Sequence, residues 1–296
     1  QELKDADKYR TIEDSSLKCS HCKVVTPITS IRKDKKDENG NTKFGLRMWG
    51  KNEFTPRETD IFQERLYCIR YEETIFENNK IKGIRHYVTP TDEDLKREQK
   101  VYQLLADKFS EWQDKGYIPS DRIESGYNTD QPIRERGWQY WHQLFNPRQL
   151  LLLGIISETI QTLASNKKEF VTGILGINKI ADWNSRLCIW NNGANQEHTQ
   201  NTFSNQALNT LYVYGCKATS NLDSAWFLNF SNTKEALEGK VNTCDARVIN
   251  YNSNLWITDP PYADAVNYHE LSEFFLAWNK TLIKKAFPEW YTESKR

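Results

Sequence analysis

The sequence feature that most constrains the fold is a pair of prolines, Pro260 and Pro261, within the stretch LWITDPPYADAVNYHELSEFF. Proline has a fixed φ angle and no backbone N–H, so two in succession force an extended, rigid loop. The apolar run before Asp259 predicts a strand that ends at this loop, and the apolar spacing after residue 270 predicts an amphipathic helix. A strand, a loop and a helix in this order are typical of an open, largely parallel α/β sheet.

The loop carries groups that could bind a ligand. In open α/β sheets, ligands bind beyond the carboxyl ends of the strands, which is where this loop is expected. The Asp259 carboxylate and the Pro260 carbonyl can each accept a hydrogen from an exocyclic amine, and the Tyr262 ring can stack on the base that carries it. The alternative is a structural turn at the end of a strand. The combination of an acid, two prolines and an aromatic residue favours the binding site.

Charge and hydropathy exclude several classes of protein. Forty basic and forty acidic residues among 296 leave no net charge, so a contact with nucleic acid must come from a local patch. No apolar run approaches the roughly 20 residues of a membrane span, and the first residues do not resemble a signal peptide. We therefore expect a cytoplasmic protein without a membrane partner. Because the chain starts with Gln1, we also expect a piece of a longer polypeptide.

Three regions follow from the pattern of turns and apolar residues. Residues 1–90 are predicted to be β-rich, with a hairpin tip at KDKKDENGNTK. Residues 91–137 are predicted to be a linking helix, from Thr91 to Gly116, and a long surface connection. Residues 138–296 are predicted to form an α/β region whose first helix begins at Asn146 and Pro147. The aromatic residues of GWQYWHQLFNPRQ are expected in the core, with a base-stacking surface as the alternative.

Two cysteines are spaced as zinc ligands. Cys19 and Cys22 in CSHC could form a thiolate knuckle. A complete site needs two more ligands, and the sequence has no second Cys-x-x-Cys motif. Cys68, His86 or residues outside this segment could complete it. Two unligated thiols are the alternative.

The sequence TDPPY resembles the catalytic motif of S-adenosylmethionine-dependent methyltransferases that act on adenine N6 or cytosine N4 in DNA. More narrowly, the chain resembles the zinc-ribbon-containing adenine-specific DNA methylases with a DUF1156 region, which occur in restriction-modification and anti-phage systems. The strings that carry this resemblance, besides TDPPYADAVNYHELSEFFLAW, are CSHC, ERLYCIRY, PTDEDL, FNPRQLL, ADWNSRLCIW and NTFSNQALNTLY. The resemblance implies a Rossmann-like methyltransferase sheet, incomplete in this segment, and a zinc-ribbon-like insertion in residues 1–90.

The resemblance also implies a reaction and its residues. Asp259, Pro260, Pro261 and Tyr262 would hold the amine of a base flipped out of double-stranded DNA, which then attacks the methyl group of S-adenosylmethionine directly. Asp245 in NTCDARV resembles the acidic residue that binds the adenosine amine of the cofactor, and a turn or cap aspartate is the alternative. The glycine-containing cofactor loop of these enzymes is not found in the sequence. We therefore expect the chain alone to bind S-adenosylmethionine weakly and to be inactive.

A rival hypothesis belongs to a different class. The chain could be part of a catalytically silent DNA-binding or scaffold subunit that retains the methylase fold and associates with other subunits of a defence complex. The intact TDPPY motif favours the enzyme, whereas the missing glycine loop favours the scaffold. The motif alone allows adenine or cytosine as the target, and the preference for adenine comes from the resemblance.

Overall fold

The computed structural model describes residues 10–77, 80–191, 197–209, 212, 214–219, 244–260 and 266–290. Within these ranges the chain has a mixed α/β fold, with a helical core and small antiparallel sheets. No helix in the described part combines the length and the apolar character that crossing a membrane requires.

Strands and helices follow one another in groups along the described chain. The strands are β1 (Ile12–Glu13), β2 (Ser16–Lys18), β3 (Val25–Pro27), β4 (Lys35–Lys36), β5 (Thr42–Lys43), β6 (Ile69–Glu77), β7 (Lys80–Val88), β8 (Trp190–Asn191), β9 (His198–Thr199), β10 (Phe203–Ser204) and β11 (Ala207–Leu208). The helices are α1 (Ile28–Arg32), α2 (Asp92–Lys115), α3 (Asp130–Arg136), α4 (Pro147–Leu163), α5 (Lys167–Trp183) and α6 (Tyr268–Ala286). Short 3-10 helices cover Trp141–Leu144 and Ala246–Val248.

The ends of the long helices are fixed by local hydrogen bonds. The Thr91 hydroxyl accepts from the backbone N–H of Asp94, whose carboxylate accepts from the backbone N–H of Thr91 in return. Gly116 ends α2 in the left-handed conformation, with φ of 70°. The Asn146 side chain caps α4, with Pro147 in its first turn. The predicted bounds of α2 and the predicted start of α4 are confirmed, because these caps depend only on neighbouring residues.

Four helices build the core. α2 packs on α4, α4 on α5, and α5 on α6. A β-carbon on Gly154 would lie 2.2 Å from Cζ3 of Trp112, so the close approach of α2 and α4 requires glycine there. Trp138 and Trp141 are buried, which confirms that the aromatic residues before α4 belong to the core. The largest buried apolar side chains are Trp112, Trp138, Trp278, Phe145, Phe274, Leu105, Ile118, Leu144, Leu150, Leu153 and Ile177.

The described strands pair only in antiparallel fashion. β6 and β7 form an antiparallel pair in which Ile69 is opposite Val88 and Glu77 is opposite Lys80. The other strands have two or three residues each. Among the described residues, therefore, the predicted open parallel sheet is not formed.

Two local predictions are wrong. The predicted strand at residues 255–257 belongs to no helix or strand, and its Leu255, Trp256 and Ile257 are 74%, 55% and 85% exposed. An apolar run forms a strand only where neighbouring strands supply hydrogen bonds and cover its faces. Residues 117–137 are not a surface connection, because they contain α3 and bury Ile118 and Ile123.

Candidate functional site

The proline-rich motif is described in part. Asp259 and Pro260 lie in the segment 251–260, which is exposed and outside any helix or strand. Pro261 and Tyr262 lie outside the described residues. The structure therefore describes the residues directly before the motif and the helix that follows it, α6, which begins at Tyr268.

The helix that follows the motif is anchored by its core face and by its first turn. Phe274 and Trp278 of α6 are buried in the core. Glu270 in its first turn is 5% exposed, and its carboxylate accepts hydrogen bonds from the backbone N–H of Asn128 at 3.1 Å and from the Asn128 side chain at 2.7 Å. A β-carbon on Gly126 would lie 2.3 Å from Oε1 of Glu270. The loop before α3 and the start of α6 therefore form one interlocked unit.

Asp245 has the environment of a helix cap. Its Oδ1 accepts from the backbone N–H of Arg247 at 2.9 Å, at the start of the 3-10 helix Ala246–Val248. The Arg247 guanidinium lies 2.5 Å from Oδ2, and these hydrogen bonds lower the pKa of Asp245. The geometry favours the cap interpretation, because the Asp245 carboxylate already pairs with the Arg247 guanidinium two residues later. Contact of Asp245 with an adenosine amine stays a prediction, because its ion pair with Arg247 lies at the surface.

The two cysteines of CSHC lie at the turn between β2 and β3. The backbone N–H of Cys19 donates to Val24 O at 2.9 Å, and Lys23 has a positive φ of 63°. Hydrogen bonds from the backbone of Cys22 and of His21 lower the pKa of the Cys19 thiol, which favours the thiolate that a metal requires.

A complete metal centre is not assembled around them. In the ranges that the structure describes, no group of three or more His, Cys, Asp or Glu side chains is placed to hold a metal ion. His86 instead lies with its Nε2 3.1 Å from Glu73. Cys19 and Cys22 could therefore supply two of four zinc ligands, and neither Cys68 nor His86 joins them.

An open pocket beside α6 has no direct signal in the sequence. It has a volume of about 530 Å³ and is lined by Gly126, Tyr127, Asn128, Asp130, Gln131, Arg134 and Leu208. We call it the Tyr127 pocket. The only sequence signal was the turn-forming stretch SGYNTD, which did not indicate that Glu270 would fix this loop from 142 residues away.

Comparison with known proteins gives no relative for this chain: no protein-family model, no curated protein and no solved structure matches it.

Proposed function

We propose that this chain is the target-base portion of an S-adenosylmethionine-dependent DNA amino methyltransferase that prefers adenine N6 and acts in the cytoplasm within a restriction-modification or anti-phage system. The observation that carries the proposal is the sequence TDPPY at residues 258–262, which residues 263–267 separate from α6. Asp259, Pro260 and Tyr262 are the residues that would contact the base.

The chemistry of the motif suits an aromatic amine. The nitrogen of such an amine is a weak nucleophile while its lone pair is delocalised into the ring. If the Asp259 carboxylate and the Pro260 carbonyl accept its two hydrogens, the lone pair becomes localised on nitrogen, and preorganised acceptors do this without reorganisation. A stacked Tyr262 would offset part of the cost of flipping the base out of the duplex.

Asp245 is the described residue that could contact the adenosine of the methyl donor, in competition with its surface ion pair to Arg247. The target base would be bound by the TDPPY motif, and the rest of the methyl-donor site would lie outside the described residues.

The exposed apolar segment before the motif, residues 255–257, supports a sheet larger than the two- and three-stranded sheets described above. Leu255, Trp256 and Ile257 are exposed large apolar side chains, and burying them would be favourable by roughly 1.5–3 kcal/mol each. We propose that this segment becomes a strand of a Rossmann-like sheet whose neighbouring strands lie outside the described residues. We propose likewise that Cys19 and Cys22 belong to a zinc ribbon completed by ligands beyond the described residues.

The test is labelled methyl transfer by the full-length protein to mixed-sequence duplex DNA, with the product base identified after digestion. Replacing Asp259 by alanine should lower the transfer rate about 100-fold or more, because a preorganised acceptor is lost. Asp107→Ala, at an exposed position on α2, is the matched control and should transfer at the wild-type rate.

The product decides between the hypotheses. Labelled N6-methyladenine that disappears in Asp259→Ala and persists in Asp107→Ala supports the enzyme. Intact DNA binding without label on any base would contradict it and favour the scaffold subunit.

A further inference from the structure

The Tyr127 pocket presents an aromatic ring to solvent on a fixed support. Tyr127 is 88% exposed, although tyrosine normally buries much of its ring. The residues on both sides of it are held firmly, as the Gly126 and Asn128 contacts with Glu270 show. The exposure is therefore not the result of a loose loop.

Further hydrogen bonds within residues 124–130 fix the conformation of the loop. The Thr129 hydroxyl donates to Glu124 O at 2.7 Å, and the Ser125 hydroxyl donates to the Asp130 carboxylate at 2.6 Å. The backbone N–H of Asp130 donates to Gly126 O at 3.1 Å. A ring on such a support loses little conformational entropy when a ligand stacks on it, which favours binding.

The other side chains of the pocket complement a nucleotide. Gln131 offers an amide whose oxygen can accept from the edge of a base; its nitrogen already donates to Glu135 at 3.2 Å and has a second hydrogen to donate. Arg134 offers a guanidinium, the side chain best suited to a phosphate, and its position is set by the Phe44 ring 5.5 Å away. The volume of about 530 Å³ lies within the range of small-molecule sites. An aromatic face, an amide and a guanidinium together match the base and the phosphate of one nucleotide.

The pocket is linked to the motif through α6, although its own residues are distant in sequence. Glu270, which fixes the pocket loop, is in the first turn of α6, and the eight residues from Pro260 to Tyr268 can span at most about 29 Å. This upper limit corresponds to roughly eight nucleotides of one DNA strand. The length of the connecting chain therefore allows one DNA strand to reach both the motif and the start of α6, which the pocket loop contacts.

We propose that the Tyr127 pocket binds a single unstacked nucleotide of the DNA substrate, with the base on the Tyr127 ring, its edge at Gln131 and its phosphate at Arg134. This inference rests on the function proposed above and adds a second DNA contact to it. The pocket would help to position the strand and to select its sequence near the target base.

The test uses the full-length protein and a fluorescent mixed-sequence oligonucleotide, single-stranded and as a duplex, with binding followed by anisotropy. Tyr127→Ala should weaken binding roughly tenfold, because stacking on one base is lost. Tyr127→Phe keeps the ring and should bind within about twofold of wild type. Tyr67→Ala removes another highly exposed tyrosine away from the pocket and is the matched control.

Methyl transfer by the same variants separates the two proposals. A raised KM for DNA with an unchanged kcat in Tyr127→Ala, rescued in Tyr127→Phe, supports the pocket. Wild-type affinity and KM in Tyr127→Ala, in a protein that still methylates DNA, would overturn the pocket and leave the proposed function standing. Tyr127-dependent DNA binding without methyl transfer would support the pocket and overturn the enzyme. A full-length protein that binds no DNA would overturn both.

Discussion

Protonation of His142 should make the stability of the chain depend on pH between 7 and 5. His142 is fully buried, with Nε2 3.0 Å from Glu53 O and Nδ1 3.4 Å from Nε2 of Gln113. A neutral ring that donates from Nε2 and accepts at Nδ1 fits both contacts. Burial lowers the pKa of His142 from 6.5 to about 4.

The sign and size of the effect follow from this shift. Below pH 6.5 the unfolded chain takes up a proton at His142 that the folded chain does not, so stability is lost as the pH falls towards 4. The loss is about 1.4 kcal/mol per pH unit, which gives about 2 kcal/mol at pH 5. Most carboxyl groups of the unfolded chain have a lower pKa and contribute little in this window.

Urea unfolding followed by tryptophan fluorescence at pH 7 and pH 5 measures the loss. His142→Gln keeps a donor for Glu53 O but cannot take up the proton, so its free energy of unfolding should change by about 2 kcal/mol less between the two pH values. His21→Gln, at an exposed position, should behave as wild type. Equal pH dependence in wild type and His142→Gln would refute the reasoning.

Two further predictions concern the core and the cofactor. Arg186 is fully buried and donates to the carbonyls of Gln143 and Phe145 and to Glu64, so Arg186→Met should lower the free energy of unfolding by about 3 kcal/mol. The exposed Arg57→Met should cost less than about 1 kcal/mol, and equal losses in urea unfolding would contradict this account. Calorimetry with the chain alone should detect weak or no binding of S-adenosylmethionine, and micromolar affinity would show that the chain contains a cofactor site.

The sequence predicts the helices well because their signals are local. Thr91 with Asp94, and Asn146 with Pro147, specify helix starts through residues three or fewer positions apart. Gly116 specifies a helix end because glycine adopts the left-handed conformation without steric cost. Such signals act in the same way whatever the rest of the chain does.

The predictions that are wrong depended on distant residues. An apolar run such as residues 255–257 indicates a strand, but whether it forms depends on strands elsewhere. The Tyr127 pocket could not be predicted for the same reason, because Glu270 and Leu208 complete it from far along the chain. The TDPPY motif identifies a candidate site by its chemistry and gives no information about which side chains lie around it.

The loop of residues 49–53 has consequences for the order of assembly. Its backbone carbonyls accept hydrogen bonds from side chains: Gln139 donates to Trp49 O, Gln143 to Gly50 O, and His142 to Glu53 O. These donors follow 89 to 93 residues later in the chain. During synthesis the loop therefore leaves the ribosome before these donors exist. In this part of the molecule, the hydrogen bonds of an early segment are completed only after a much later segment has been made.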